Sequence, residues 1–171
     1  QYVAGLAANA QNGVQVTNKW VEGKFRSARY PAAVVGYGRY GTTIQNNLVD
    51  ANVSSRGNRA HGGMILSFMG GFSQGQDMGI ATNNVIKGGR LHWSGGAGGI
   101  LAGRVLGQYA NGGWLVASNL VSDQVQLGNS VPTEPGDANE QGANRTVEEL
   151  STQQTYIDLG WDFENAWVWD E

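Results

Sequence analysis

Ala4-Gly5-Leu6-Ala7-Ala8, Ala32-Ala33-Val34-Val35-Gly36, Gly62-Gly63-Met64-Ile65-Leu66 and Gly98-Gly99-Ile100-Leu101-Ala102 are four versions of one phrase. Each is two small residues followed by an apolar run, and the copies start 28, 30 and 36 residues apart. Self-similarity at such a period marks a solenoid or a propeller. The residues after each phrase repeat as well. Val14 to Phe25 alternates apolar and polar residues after the turn pair Asn12-Gly13, and Thr43 to Val53 does so after Tyr40-Gly41. Alternation of period two reads as strand with one buried face. Asn18 lies 14 residues after Ala4 and Asn46 lies 14 after Ala32, so the first two repeats superpose without a gap. Asn83 lies 21 after Gly62 and Ser118 lies 20 after Gly98, so repeats three and four have longer middles. The extra residues fall around Gly70–Gly75 and Gly107–Gly113. Insertions of this kind map to loops on one side of a repeat array.

A unit of about 28 residues with two or three short strands cannot close a core alone. Wound as a coil, each strand pairs in parallel with its counterpart about 4.8 Å away. Aliphatic residues then stack inside, Gly and Asn take the corners, and Gly62-Gly63 and Gly98-Gly99 sit where backbones approach. Residues 1–131 form the array, with repeats at about 4–30, 32–59, 62–95 and 98–131. Residues 132–171 form a loop, a short helix and a tail. Pro132, Pro135, Gly136 and Gly142 mark the loop. Thr146 and Glu149 have capping-box spacing, which predicts a helix of two to three turns through about Gln153. The tail carries Trp161, Phe163, Trp167 and Trp169 and is expected to bury them on the open edge of coil four.

Composition narrows the function classes. Gly is 27 of 171 residues, about twice the usual ~7%. Charged residues are 15% and net charge is −3, so the basic face of a nucleic-acid binder is not expected. Cysteine is absent, which excludes disulfides and thiolate chemistry. No apolar run reaches the ~20 residues of a membrane span. The chain opens Gln1-Tyr2-Val3 with no visible signal peptide, as a mature or excised fragment would.

Ala33-Val34-Val35-Gly36-Tyr37 and the run from Ile44 to Ser54 resemble the GLUG repeats of bacterial surface and secreted proteins. Gly103-Arg104-Val105-Leu106-Gly107 is similar to a phrase common in the last such repeat. Leu159-Gly160-Trp161-Asp162-Phe163-Glu164-Asn165-Ala166-Trp167 resembles the phrase that often follows the array, with Ala166 in place of the usual Val. The resemblance covers nearly the whole chain and extends to the amino-terminal array of IgA-specific metallopeptidases. Repeats three and four depart from it. It implies an all-β fold, a right-handed parallel β-helix of about four coils closed by a short helix and aromatic cap. It also implies an extracellular or cell-surface location in a bacterium, and no reaction. The expected role is non-catalytic adhesion or scaffolding. The expected partner is a host or neighbouring-cell glycan or protein, or adjacent domains of the same larger protein. The alternatives are the substrate-recognition part of an IgA-type metallopeptidase and a carbohydrate-active β-helix enzyme.

Candidate sites are few. His61 and His92 lie 31 residues apart without a zinc motif and read as surface histidines. Asp50, Asp77 and Asp123 are the candidate acids for a lyase or hydrolase, which needs carboxylates converging from neighbouring coils. Asp50 and Asp123 align, with Lys87 between them. Arg26, Arg29, Arg56, Arg59 and Arg90 recur near repeat ends, beside Trp20, Tyr30, Tyr37, Tyr40 and Trp93. Stacked as a ladder, such residues suit an anionic glycan or a protein patch, and otherwise serve as solubilising charge. The candidate ligand-binding set is Arg29, Arg56, Arg59, Trp93, Tyr109 and Trp114. Asp137 to Glu148 has the spacing of a twelve-residue calcium loop, with Asp137, Asn139, Gln141 and Glu148 as ligands and Gly142 at the sharp turn. Arg145 at position nine and the missing preceding helix weaken the match, and the alternative is a turn-rich linker.

Overall fold

The computed structural model describes residues 2–57, 61–70, 77–93, 103–108, 114–128 and 141–170, without the side chains of residues 93 and 108. Within them the chain is mostly strand. After β1 (Tyr2–Val3) come β2 (Gln15–Thr17) and β3 (Trp20–Ser27). A second group is β4 (Tyr30–Pro31), β5 (Val35–Gly38), β6 (Thr43–Gln45) and β7 (Leu48–Ser55). A third is β8 (Leu66–Met69), β9 (Gly79–Thr82) and β10 (Val85–Trp93), and a fourth is β11 (Leu106–Gln108), β12 (Trp114–Ala117) and β13 (Leu120–Ser122). Then come β14 (Gln126–Leu127), β15 (Ala143–Arg145), a 3-10 turn at Glu149–Ser151 and α1 (Gln153–Asp158).

Every strand pairing among the described residues is parallel and joins counterparts from successive groups. One sheet runs β5-β8-β11, a second β2-β6-β9-β12, and the largest β3-β7-β10-β13-β15, with β14 also on β10. Bridges Ala7–Val35 and Ala10–Gly38 bring the first phrase onto β5. β15 is a fifth strand where the Pro- and Gly-rich composition reads as loop. Its Ala143 N–H donates to the Asn119 carbonyl at 2.8 Å, as Leu120 does to Asn84 and Val85 to Asn47.

The expected long alternating strands are each broken by a corner. Asn18, Asn46, Asn83 and Ser118 have φ of 56°, 55°, 58° and 54°. These are the four residues that the repeat alignment superposes. Asn tolerates this left-handed conformation better than most residues. The residue after three of these corners, Asn47, Asn84 or Asn119, is fully buried. Asn47 Nδ2 donates to Asn84 Oδ1 and Asn84 Nδ2 to Asn119 Oδ1, each at 2.9 Å. The same amides donate to the carbonyls of Val16 and Ile44, and Asn119 Nδ2 to that of Ala81. The ladder thus satisfies buried backbone acceptors at the corner, where no strand partner is available.

Alternation decides what faces inward. In β7, Val49, Ala51, Val53 and Ser55 are buried while Asp50 and Asn52 are exposed. Val34, Val35, Ile44, Met64, Ile65, Leu66, Ile86, Leu91, Val105 and Leu106 fill one core with no exposed surface. Trp114 belongs to this core, at 7% exposure. A Cβ on Gly79 would fall 2.4 Å from its ring and one on Gly38 2.8 Å away. The ring therefore fills space that two glycines leave, and it is not a ligand platform. Gly79→Ala is expected to cost about 1–3 kcal/mol by overpacking. Thermal unfolding checks this, and a cost below about 0.5 kcal/mol would show that the ring can move aside.

The tail does not lie on the open edge of the fourth group. In the largest sheet Trp20, Leu48, Val85, Leu120 and Ala143 are register partners. Val21, Val49, Ile86 and Val121, one residue on, are buried in the main core. The first row therefore faces outward as an apolar stripe. Leu150, Tyr156 and Trp161 pack on Val85, Leu120 and Ala143, with Leu48, Leu159, Phe163, Trp167 and Trp169 around them. Trp161 Nε1 donates to the Asn83 carbonyl at 2.9 Å. The capping box forms, with Thr146 N–H on Glu149 Oε2 at 2.7 Å and Glu149 N–H on Thr146 Oγ1 at 3.2 Å. It opens the 3-10 turn rather than a longer helix, because Thr152 is extended and α1 starts beyond it.

Candidate functional site

Parallel register places equivalent outward positions in columns across the largest sheet, with about 4.8 Å between strands. The apolar column from Trp20 to Ala143 lies under the tail, and Trp20 itself stays 63% exposed at its open end. Next come Glu22, Asp50 and Gly88. The third column is Lys24, Asn52, Arg90 and Gln126, and the fourth is Arg26, Ser54 and His92. Arg56 comes just after the end of β7. Arg26, Ser54, Ser55, Arg56 and His92 line a cleft of about 230 Å³. The two arginines are exposed, whereas Ser54 and His92 are half-buried. His92 is pressed by the next turn of chain, since a Cβ on Gly128 would stand 2.4 Å from its Nδ1. This end of the face is cationic and rich in donors.

A second cavity, about 400 Å³, lies between the tail and the sheet, lined by Trp20, Lys87, Tyr156, Trp167, Trp169 and Asp170 among others. Its walls are an aromatic stack. Trp161 and Trp167 are 4.5 Å apart at 28°, and Tyr156 meets Trp161 edge-on at 4.9 Å. Asp162 shapes the turn that returns the chain to this stack. Its carboxylate accepts from the Asn165 amide and from the backbone N–H groups of Asn165 and Glu164. The Asn165 side-chain bond is the largest of the causes that hold its pKa below the usual value. Tyr156 donates its hydroxyl to the Leu150 carbonyl at 2.8 Å, and burial pushes its pKa up to about 12. A raised phenol pKa means that the folded tail favours the protonated form. Its contribution is complete below the ordinary value near 10 and is lost as pH rises toward 12. Alkaline titration followed by tryptophan fluorescence is expected to show the tail releasing in that window, and Tyr156→Phe to shift the release upward.

The fifth position of the calcium spacing, Gln141, has partners of its own. Gln141 is 3% exposed, its Oε1 accepts from the Arg104 backbone N–H at 3.3 Å, and its carbonyl accepts from Arg104 Nε at 3.0 Å. Arg104 also donates to Asn144 Oδ1 and to the Gly142 carbonyl. Arg104 is 6% exposed, and desolvation lowers its pKa. Of the proposed ligand oxygens, Gln141 Oε1 is thus engaged by a backbone N–H, and the guanidinium is fixed on neighbouring acceptors of the same loop. Glu148 is fully exposed, and its lowered pKa arises from its own backbone N–H first and Thr146 second. Asp137 and Asn139 lie outside the described residues. Among the described residues no group of three His, Cys, Asp or Glu side chains could hold a metal.

The remaining candidates separate. Arg29 and Arg56 are exposed, and only Arg56 joins the cleft. Arg59 and Tyr109 lie outside the described residues, as does most of both insertions. Trp93 pairs in register with Ser55, and its side chain is not described. Arg26 belongs with Arg56, and its period-two position in β3 beside Ser54 and His92 is the signal that an alignment by repeat ends passes over. His61 and His92 are half-buried, and His61 stacks on Tyr30 at 5.7 Å. The acids do not converge. A bulge between Ile86 and Gly88 sets Gly88, not Lys87, opposite Asp50. Asp123 sits in a turn with its N–H on the Arg145 carbonyl. Asp50, Asp77 and Asp123 are all exposed. Among the described residues no helix is long and apolar enough to cross a membrane. Comparisons with protein-family models, curated proteins and solved structures find no match to this chain.

Proposed function

We propose that this chain is a non-catalytic, right-handed parallel β-helical module of a bacterial cell-surface or secreted protein, which presents a binding face or carries neighbouring domains. Support for the winding comes from the recurrence of the same strand order in successive groups, each strand pairing with its counterpart. Such an array is stiff, because each turn is held by backbone bonds along its whole length.

The observation that carries the functional reading is the distribution of acids. Every carboxylate among the described residues is exposed. A glycosidase-type pair needs one carboxyl in apolar surroundings to serve as acid and a facing partner across the scissile bond. The outer face offers donors and cations for binding without that arrangement.

Surface labelling of intact bacteria that express the parent gene tests the location. Antibody to the chain is expected to bind unlysed cells or the culture medium. Labelling only after lysis would sink the reading. Incubation with acidic and neutral polysaccharides is expected to release no new reducing or unsaturated ends, and release would favour the enzyme alternative.

A further inference from the structure

We propose that the outer face of the largest sheet, at the carboxyl-terminal ends of β3, β7 and β10, binds an acidic saccharide through its carboxylate or sulfate groups. Arg26, Arg56 and His92 surround one anion in the cleft, and Lys24 and Arg90 meet the neighbouring ones. The inference rests on the binding-module reading above and names the ligand class of that face.

Charge placement is the first argument. The whole chain carries net −3, yet Lys24, Arg26, Arg56 and Arg90 gather at one end of one face. The column of Lys24, Asn52, Arg90 and Gln126 contains no acid, and neither does that of Arg26, Ser54 and His92. Random placement of solubilising charge would intersperse both signs, as the neighbouring column of Glu22 and Asp50 does for the sheet as a whole.

Donor chemistry is the second. Guanidinium groups present paired N–H donors that match the geometry of a carboxylate or sulfate. Ser54, Asn52 and Gln126 add the neutral donors and acceptors that sugar hydroxyls require. The sheet supplies a platform on which Lys24 and Arg26 stand about 6.6 Å apart along a strand, and Lys24 and Arg90, with Asn52 between them, about 9.6 Å apart across it. Those spacings are of the order of one to two sugar rings. A nucleic acid fits less well, because a phosphate backbone needs a long basic track and the Glu22 and Asp50 column closes this one on one side.

The test is calorimetric titration of the full chain with a sulfated glycosaminoglycan oligosaccharide, an oligouronate, a neutral oligosaccharide of equal length and an oligodeoxynucleotide. Binding of the sulfated or the uronate ligand, weakened by added salt, is expected, and the two arms tell sulfate from carboxylate recognition. Arg26→Gln with Arg56→Gln is expected to weaken that binding roughly tenfold or more, and His92→Gln to weaken it less. Lys19→Gln, an exposed cation away from the cleft, is expected to leave it unchanged. Both arginines are exposed, so circular dichroism of the double variant should match the parent. The proposal is overturned if neither acidic saccharide binds, if the neutral saccharide or the oligonucleotide binds as well as they do, or if the double variant and Lys19→Gln behave alike. Ligand that is bound and then shortened would instead end the non-catalytic reading and spare the site. Absence of binding with intact surface display would end the site and spare the scaffold role.

Discussion

Asn84→Ala is expected to destabilise the chain by about 4 kcal/mol, a large share of the roughly 5–15 kcal/mol typical of a domain. Asn84 is fully buried at the middle of the amide ladder. Its Oδ1 accepts from the Asn47 backbone N–H at 3.2 Å and from Asn47 Nδ2 at 2.9 Å. Its Nδ2 donates to the Ile44 carbonyl at 3.0 Å and to Asn119 Oδ1. Truncation leaves the Asn47 backbone N–H and the Ile44 carbonyl without that partner in a place that water does not reach, while Asn47 Nδ2 keeps the Val16 carbonyl and Asn119 Oδ1 keeps the Asn84 N–H. Each such buried group costs about 1–3 kcal/mol, and some relaxation lowers the sum. Urea unfolding followed by tryptophan fluorescence reads the loss directly. The neighbouring corner gives the contrast. Asn46→Gly keeps φ near 55° without strain and is expected to change stability by no more than about 0.5 kcal/mol. Equal losses at the two positions would mean that corner conformation, not amide pairing, holds the groups in register.

Trp161→Ala is expected to cost about 3–5 kcal/mol, concentrated in the tail. The ring is 5% exposed, stacks on Trp167, meets Tyr156 and bonds the Asn83 carbonyl. Without it, Leu48, Val85, Leu120 and Ala143 lose the centre of their cover. Because the tail forms its own apolar cluster outside the main core, the variant should unfold in two steps, tail first. A hydrophobic dye is expected to bind the variant before the main transition. Trp161→Phe keeps most of the stack and loses the bond to Asn83, so a cost of about 1 kcal/mol is expected. A single cooperative transition for Trp161→Ala would show that the tail and the sheets share one folding unit.

The capping box was legible in the residues because it depends on two side chains three apart. Where the helix lay beyond it was not, since Thr152 takes an extended conformation that its own sequence neighbourhood does not demand. Trp114 resembles a binding aromatic in an insertion until Gly79 and Gly38, which are distant in sequence, are seen to leave room for it. Gln141 fits a calcium loop by spacing alone, but Arg104, 37 residues away, occupies its oxygens. Asp50 and Lys87 align by count, and one bulged residue undoes the match.

The residues alone determined the apolar phrase, the alternating arms and the alignment of Asn18, Asn46, Asn83 and Ser118, because repeat period and strand alternation are properties of local order along the chain. That these four residues turn the chain at a corner, where the residues read as continuous strand, came from the structure. Only the tertiary structure decided which outward columns form, that Arg26 and His92 meet Arg56, and that the aromatic tail lies along the sheet rather than over its end. Those outcomes depend on register between strands that lie tens of residues apart. A single residue gained or lost in one strand moves every later side chain to a different partner or the opposite face.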